Sequence, residues 1–548
     1  MIKHYLLLII VFVFSCFSCR RIDSNTQVAQ NQYNLPVLKS KEVNNVLELN
    51  ITCKDTLKET ILKEIIINTQ KTSSLDDIES VSLYYNGVNE GYINEDRILI
   101  SETNQISPLI RLKGSFRLKP RQNHFWVSYK LKDNADLLNF VGCYCEKVIT
   151  NRGEASVSMW DYPKKLRIGV ALRKHGEDNV HTFRIPGLVT TDKGSLLAVY
   201  DVRRSSNRDL QGDIDIGISR SLNGGNSWEP MKIVLDMGEW GNMPQKFNGV
   251  SDASLTVDKE TGNIFVAGLW MHGVIDENGK WLENLTEESD AWNHQWRNMG
   301  SQPGFDVKET SQFIIAKSSD DGNTWETPVN ITSMCKKREW WLWAPAPGNG
   351  ITLNDGTLVL PTQGRDKDGL PFSNITFSYD GGLTWETSNP AFHNTTESAA
   401  VQLDDGSIML NMRYNNNRNT EGADNGRVIM ITSDMGKTWI EHPTSRSVLN
   451  ESVCMASLYK HEYIRNGKQE SLLLFSNPNT KKGRHHMTIK VSFDNGNTWP
   501  QESWLLLDEG SSNGYSCITG IDDNNIGILY EGSQSDLVFQ KIPIKDLL

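Results

Sequence analysis

Cysteine is scarce in this chain. Its 548 residues include eight, and two of these, Cys16 and Cys19, lie within the first twenty positions. The other six, Cys53, Cys143, Cys145, Cys335, Cys454 and Cys517, show no metal-ligand spacing and are too few for a disulfide framework. Cys143-Tyr-Cys145 places two thiols on one face of an expected strand. That spacing leaves a zinc pair open, but two small buried side chains account for it better. Positive charge is in deficit too. Lys and Arg number 56 against 67 Asp and Glu, a formal net charge of −11. A broad nucleic-acid face is therefore excluded, while a local basic pocket is not. Long apolar runs are missing: Tyr5–Phe14 is about ten residues, short of a bilayer span, and no later window reaches even that. An apolar share of 38% with 22% charged still requires a packed body rather than disorder.

The amino terminus reads as an export segment. Lys3 precedes the apolar run, which ends in VFSC (13–16) and CFSC (16–19). This resembles a bacterial lipoprotein box, so residues 1–19 are expected to be removed or lipidated at Cys16 or Cys19; an ordinary cleaved signal peptide is the alternative. The expected location is the cell envelope, with a lipid anchor as the only membrane attachment.

Residues 24–160 carry short alternating runs such as VLELNITC, SVSLYYNG and HFWVSYKL. Period-two alternation rich in β-branched and aromatic residues predicts strands, and about 130 residues suit a small β-sandwich. From 165 to 548 an octapeptide recurs: SLNGGNSW (221–228), SSDDGNTW (318–325), SYDGGLTW (378–385), TSDMGKTW (432–439) and SFDNGNTW (492–499). The last three intervals are 60, 54 and 60 residues, and the first is 97. A period near 60 suits a four-stranded propeller blade, and about 380 residues then give six blades. The long first interval implies a blade without a copy, or an insertion centred on the Trp-rich stretch 281–300. Each octapeptide position has a structural reason. Asp ties a turn, Gly supplies positive φ, Thr opens a strand and Trp anchors it. Five copies point to construction rather than catalysis.

Five such boxes resemble the Asp-boxes of sialidases (neuraminidases), and HTFRIPGLVTT (181–191) resembles the Arg-Ile-Pro motif of the same family. Further matches follow in chain order over about 165–548. The resemblance implies an all-β protein, with a six-bladed propeller of the retaining exo-sialidase type after a carbohydrate-binding-like sandwich. It implies three arginines gripping the substrate carboxylate: Arg184, Arg413 in SIMLNMRY and Arg484 in KKGRHHMTIKVS. Guanidinium forks suit a carboxylate better than lysine does. It also implies Asp209 as acid/base, Tyr515 in SSNGYSCIT as nucleophile and Glu397 as the base that activates it. A neutral phenol avoids the repulsion that a carboxylate nucleophile would meet from an anionic substrate. Arg203 is expected to line the pocket near the ring oxygens of the substrate, Asp252 to line it as a polar strand-end residue, and Gln363 and Trp343 to contact the N-acetyl or glycerol arms. Asp213 and Asp215 open the next strand and read as structural. Adjacent His485 and His486 are expected on opposite faces of a strand, so no metal site is expected and no cofactor is needed. The expected partners are sialylated glycans, with the chain acting as a monomer. A trans-sialidase, an anhydro-sugar-forming variant and a propeller lectin stay open as alternatives.

Overall fold

A computed structural model of the chain describes residues 21–55, 57–88, 97–158, 163–294 and 299–548. Residues 1–20, with the candidate lipidation sites Cys16 and Cys19, lie outside these, as do 159–162 of the expected domain join.

Two β architectures follow one another. The first is a nine-stranded hydrogen-bonded path between Ile22 and Val157. Its first strand, Ile22–Asn31, pairs antiparallel with Asn44–Cys53 and parallel with the last strand, Gly153–Val157. The path folds over so that its two edge strands, Ile98–Thr103 and Leu109–Arg117, approach each other. One apolar core fills the fold, with Leu49, Ile51, Phe125 and Val127 facing Ile65, Ile67 and Val148. The result is a β-sandwich-like domain. All six cysteines after residue 20 are buried free thiols.

The second architecture is a six-bladed propeller. Blade 1 comprises Thr182–Thr190, Leu196–Arg203, Ile214–Ser221 and Lys232–Leu235. Blades 2 to 5 repeat this meander, with first strands at Val250–Val257, Leu342–Pro345, Thr395–Gln402 and Ser457–Arg465. Blade 6 takes its inner three strands, Ser516–Asp522, Asn525–Tyr530 and Leu537–Pro543, from the end of the chain. Its fourth, Leu166–Arg173, comes from the start of the propeller region, and Val170 pairs with Phe539 to close the ring. Blades stack on both faces, so their middle strands are buried throughout. This is why LLAVY (196–200) and IFVAGLW (264–270) carry no charged side chain and do not alternate. The sandwich domain adds Val37–Lys39 in parallel to Leu166–Arg173, and the two domains share the core around Leu166, Ile168 and Phe183.

The octapeptides sit at the turns between third and fourth strands of blades 1 to 5. Blade 6 cannot carry one, because its third and fourth strands are not consecutive in the chain. The 97-residue interval is an insertion, 271–311, between the second and third strands of blade 2.

The staple chemistry differs in detail from the expectation. In SSDDGNTW the Asp320 carboxylate accepts from both the backbone N–H and the hydroxyl of Thr324, four residues on, at 2.8 and 2.6 Å. Ser318 Oγ accepts the Gly322 N–H at 3.0 Å. Thr is thus a hydrogen-bonding partner of Asp rather than only a strand former. In the first copy Asn223 holds the same geometry by accepting from Ser227 N and donating to Ser227 Oγ, both at 2.9 Å. The glycine does two things. It takes positive φ, and it lets the turn press on the preceding blade: a Cβ on Gly225 would lie 2.0 Å from Phe539 of blade 6, and one on Gly382 2.7 Å from Phe265 of blade 2. The tryptophan continues that contact, Trp228 meeting Phe539 edge-on at 5.1 Å. Each octapeptide therefore fastens its own hairpin and the seam between blades.

Candidate active site

In each up-and-down blade the first strand begins, and the second and third strands join, at the end of the propeller opposite the octapeptides. A cavity of about 600 Å³ opens there, lined by residues from all blades. Three inner strands reach it through bulges. Arg184 precedes Ile185, whose φ is +60°, where the pairing with Leu196–Arg203 slips. Asp252 has φ +59° at a slip between Ser251 and Ser254. Glu397 lies in a slip between Thr395 and Ser398. Bulges re-aim side chains that regular pleating would turn into the blade faces.

The centre of the cavity is one connected network. Tyr515, at the entrance to blade 6, donates its hydroxyl to Glu397 Oε1. Arg413, at the end of the strand Ile408–Tyr414, donates from one terminal nitrogen to Glu397 Oε2 at 2.5 Å and to the Tyr515 hydroxyl at 3.0 Å. Arg484 is held by the carbonyls of Asn513 and Val453, at 2.8 and 2.9 Å. The guanidinium carbons of Arg184 and Arg484 lie 5.5 and 5.7 Å from the centre of the Tyr515 ring. Burial pushes the Tyr515 phenol well above its ordinary range, and neighbouring Glu397 pushes it further; Arg413 and Arg484 pull back without cancelling this. Tyr515 is therefore a neutral phenol, and its proton has one short exit, to Glu397.

Glu531 holds this arrangement from beneath and was not expected from the sequence. It is 1% exposed. Its Oε1 accepts from Arg184 Nε at 2.5 Å and Ile185 N at 3.0 Å, and its Oε2 accepts from Tyr515 N at 2.9 Å. One carboxylate thus fixes an arginine and the tyrosine backbone together. The available signal was an acid placed directly after the apolar strand NIGILY (525–530), where a buried charge needs a partner. A second buried pair, Arg427–Glu451 at 2.7 Å, secures the chain after Arg413, with Glu451 also accepting from Tyr414 N at 2.7 Å.

Asp209 stands on the loop between the second and third strands of blade 1, its side chain 56% exposed toward the cavity. Arg203 donates to it at 2.6 Å, and Arg184 approaches to 4.0 Å. Partial burial raises its pKa, but Arg203 and then Arg184 outweigh that, leaving it below the usual carboxylate value. Asp252 goes the other way. Burial first, then the charges of Glu397, Asp201 and Asp209, raise it well above the usual value, favouring its acid form. Gln363 donates to it at 3.3 Å.

Of the ten residues singled out as catalytic or substrate-contacting, eight line this one cavity: Arg184, Asp209, Asp252, Gln363, Glu397, Arg413, Arg484 and Tyr515. Arg203 and Trp343 are the exceptions. Arg203 is 1% exposed and lies beneath Asp209, its guanidinium taken up by Asp201 at 2.9 and 3.1 Å, by Asp209 and by the Asn207 carbonyl. Trp343 also departs from expectation: it is fully buried among Trp340 and Phe372, with its indole N–H directed at Cys335 Sγ. His485 and His486 do not face opposite sides. His486 has φ +61°, the ladder slips there, and the two rings meet with centroids 4.7 Å apart.

Residues 185–504 match the BNR repeat-like domain, and residues 25–154 match the N-terminal domain of BNR-repeat neuraminidase. A sialidase of Bacteroides fragilis (strain YCH46) is 38% identical, over 98% of this chain and 99% of its own length. This chain belongs to the sialidase family. It is a glycoside hydrolase of the exo-α-sialidase type. A sialidase of Paraclostridium sordellii is 28% identical over 65% of this chain and 82% of its own. Among solved structures, the Hadza microbial sialidase Hz136 superposes with a TM-score of 0.85 at 35% identity, covering 95% of this chain and all of that one. A Trypanosoma rangeli sialidase shares the fold alone, with a TM-score of 0.51 at 22% identity over 69% of this chain and 59% of its own.

Proposed function

We propose that this sialidase releases terminal α-linked sialic acid with retention of configuration, through a covalent bond to Tyr515. Sialic acid hydrolysis follows from the family; the observation that carries the route is the shared contact of Tyr515, Glu397 and Arg413. Sialosides bear a carboxylate on the reacting carbon, so the usual pair of carboxylate nucleophile and acid meets charge repulsion, and sialidases use tyrosine instead. Arg184, Arg413 and Arg484 bind that carboxylate, each charged hydrogen bond contributing about 1.5–3 kcal/mol. Tyr515 transfers its proton to Glu397 as its oxygen bonds to the anomeric carbon, and the glycosidic C–O bond breaks. Asp209 delivers a proton to the leaving oxygen. It then takes one from water, which attacks the anomeric carbon, displaces Tyr515 and frees the sugar; Glu397 returns its proton to the phenolate.

Substrate binding also readies the acid. Empty, Asp209 is held ionised by Arg203 and Arg184. Once Arg184 engages the substrate carboxylate, part of that field is neutralised and Asp209 gains proton affinity. The test is hydrolysis of a fluorogenic aryl α-sialoside by the wild type and by Tyr515→Phe, with the first-formed anomer read by NMR. Loss of at least about a thousandfold in the variant, with the α-anomer formed first by the wild type, supports this route. A variant that keeps most of its rate, or a first-formed β-anomer, sinks it.

A further inference from the structure

The loop that carries Asp209 is not held by its own blade alone. Leu210 and Gln211, directly after Asp209, both adopt left-handed backbone, with φ +48° and +44°. Such conformations are disfavoured outside glycine, so the surroundings must impose them. The insertion 271–311 does so. Gln211 is 3% exposed. Its amide donates to the Gly273 carbonyl at 2.9 Å and accepts from Asn293 N at 2.8 Å, near the start and the middle of the insertion. Leu210 packs on Leu269, the penultimate residue of the strand from which the insertion departs, and on Ala344. On the other side of Asp209 the exposed Arg208 lays its guanidinium over the ring of Trp292, 4.3 Å from its centre. His294, two residues further along the insertion, lines the cavity with Asp209.

An acid that protonates a leaving oxygen has the leaving group beside it. The leaving group must therefore pass along the surface formed by the acid loop and the insertion. There it meets an indole and a guanidinium, which suit the apolar face and the hydroxyl edge of a sugar ring respectively. The insertion also carries Glu283, Glu287, Glu288 and Asp290, which disfavour an anionic leaving group. We propose that the stretch 271–294 of this insertion is the leaving-group recognition element of this enzyme, with the Arg208–Trp292 pair as the platform for the first neutral sugar ring next to the sialic acid. This rests on Asp209 being the acid, as proposed above.

The test compares the full chain with Trp292→Ala and Trp292→Tyr on three substrates: an aryl α-sialoside, sialyllactose and an α2,8-linked disialic acid. For Trp292→Ala, kcat/KM on sialyllactose is expected to fall about tenfold further than on the aryl sialoside, mainly through KM, and Trp292→Tyr is expected to recover most of the difference. The aryl substrate reports whether each preparation is folded, and Arg208→Ala should move the same ratio in the same direction. Equal losses on the aryl and lactosyl substrates, no loss on either, or a loss confined to the disialic acid would overturn the proposal. A wild type silent on all three substrates would instead remove the hydrolase reading beneath it.

Discussion

At one end of the propeller, five turns repeat one solution; at the other, no two loops agree. The octapeptide end is held by exposed Asp–Thr hydrogen bonds that differ by no more than about 0.1 Å from copy to copy, as in the Asp–Thr side-chain bonds of 2.6, 2.6, 2.7 and 2.7 Å. The cavity end is held by buried charge: Glu531 under Arg184, Glu397 under Arg413, Arg203 under Asp209. The difference is instructive. A requirement shared by every blade can be met by one motif, and is legible as a repeat. A reaction has one centre, so its groups come from different blades and are each met once. Their order in the chain carries no period, and their stability depends on neighbours far away in sequence.

The largest effect is expected where a cavity charge acts directly. Asp209→Asn should lower kcat/KM on sialyllactose by about 10²–10⁴-fold, and by much less on an aryl sialoside whose leaving group needs little protonation. Equal losses would remove Asp209 from the acid role. Its pH behaviour sharpens the point. In the free enzyme Arg203 and Arg184 hold its pKa low, and the bound carboxylate relieves part of that. The acid form is needed, so rate falls as pH rises through its pKa. The alkaline limb of kcat, which reports the bound enzyme, should therefore lie at higher pH than that of kcat/KM, which reports the free enzyme. Coincident limbs would contradict the coupling.

Next comes the buried support. Glu531→Gln leaves Arg184, 9% exposed, without its counter-charge and withdraws an acceptor from Tyr515 N. Breaking such a pair costs about 3–5 kcal/mol. Activity and thermal stability should fall together, whereas Tyr515→Phe should lose activity with its melting temperature nearly kept. A Glu531→Gln enzyme of unaltered stability would show that Arg184 is sufficiently solvated without its partner.

How much of this was legible beforehand follows the same division. The sheet-rich fold, the six blades and the octapeptide's constructional role could be read because strand alternation and a period near 60 residues are local signals. Arg184, Glu397, Arg413 and Tyr515 were legible through the motifs around them, not through periodicity. The bulges at Arg184 and Glu397 break the period of two, as His486 does outright, and no alternation rule predicts a β-branched Ile185 at positive φ. Glu531 stayed hidden because its meaning lies in Arg184, 347 positions away. Arg203 was misplaced for a readable reason: it sits two residues from Asp201 on one strand, and i,i+2 neighbours share a face, so its fork turned to that carboxylate before reaching the cavity.

A smaller effect tests the seams between blades. Gly225→Ala puts a methyl group 2.0 Å from the Phe539 ring, at φ +87°. The cost of such overpacking is about 1–3 kcal/mol, and it falls on the closure between blades 1 and 6. Differential scanning calorimetry should show lower stability, with kcat/KM on the aryl sialoside reduced less than stability is, because the seam lies at the far end from Tyr515. The same substitution at Gly406, whose Cβ would meet nothing within 4 Å, controls for backbone strain alone at φ +85°. Equal losses at the two positions would mean that the contact with the neighbouring blade contributes nothing.

The smallest effect expected is in the octapeptide carboxylates themselves, and its sign with pH is fixed. Hydrogen bonds from the threonine hydroxyl and backbone hold Asp320, Asp380 and Asp434 down to about 2, below the ordinary 3.8. A carboxylate with a depressed folded pKa stabilises the fold fully above its unfolded value, and that contribution is lost as pH falls through the folded value. Asp380 is exposed and Asp320 and Asp434 are only half-buried at the surface, so each contribution is small and screened by salt. Replacing Asp320, Asp380, Asp434 and Asp494 together by Asn copies the solution already used at Asn223, which keeps the turn without a charge. The variant should melt slightly below wild type at pH 7. The gap should close as pH falls from 3.8 toward 2, where wild type loses what the variant never had. Melting curves across that range read the difference directly, and a gap that stays constant with pH would mean that the carboxylates act through shape alone.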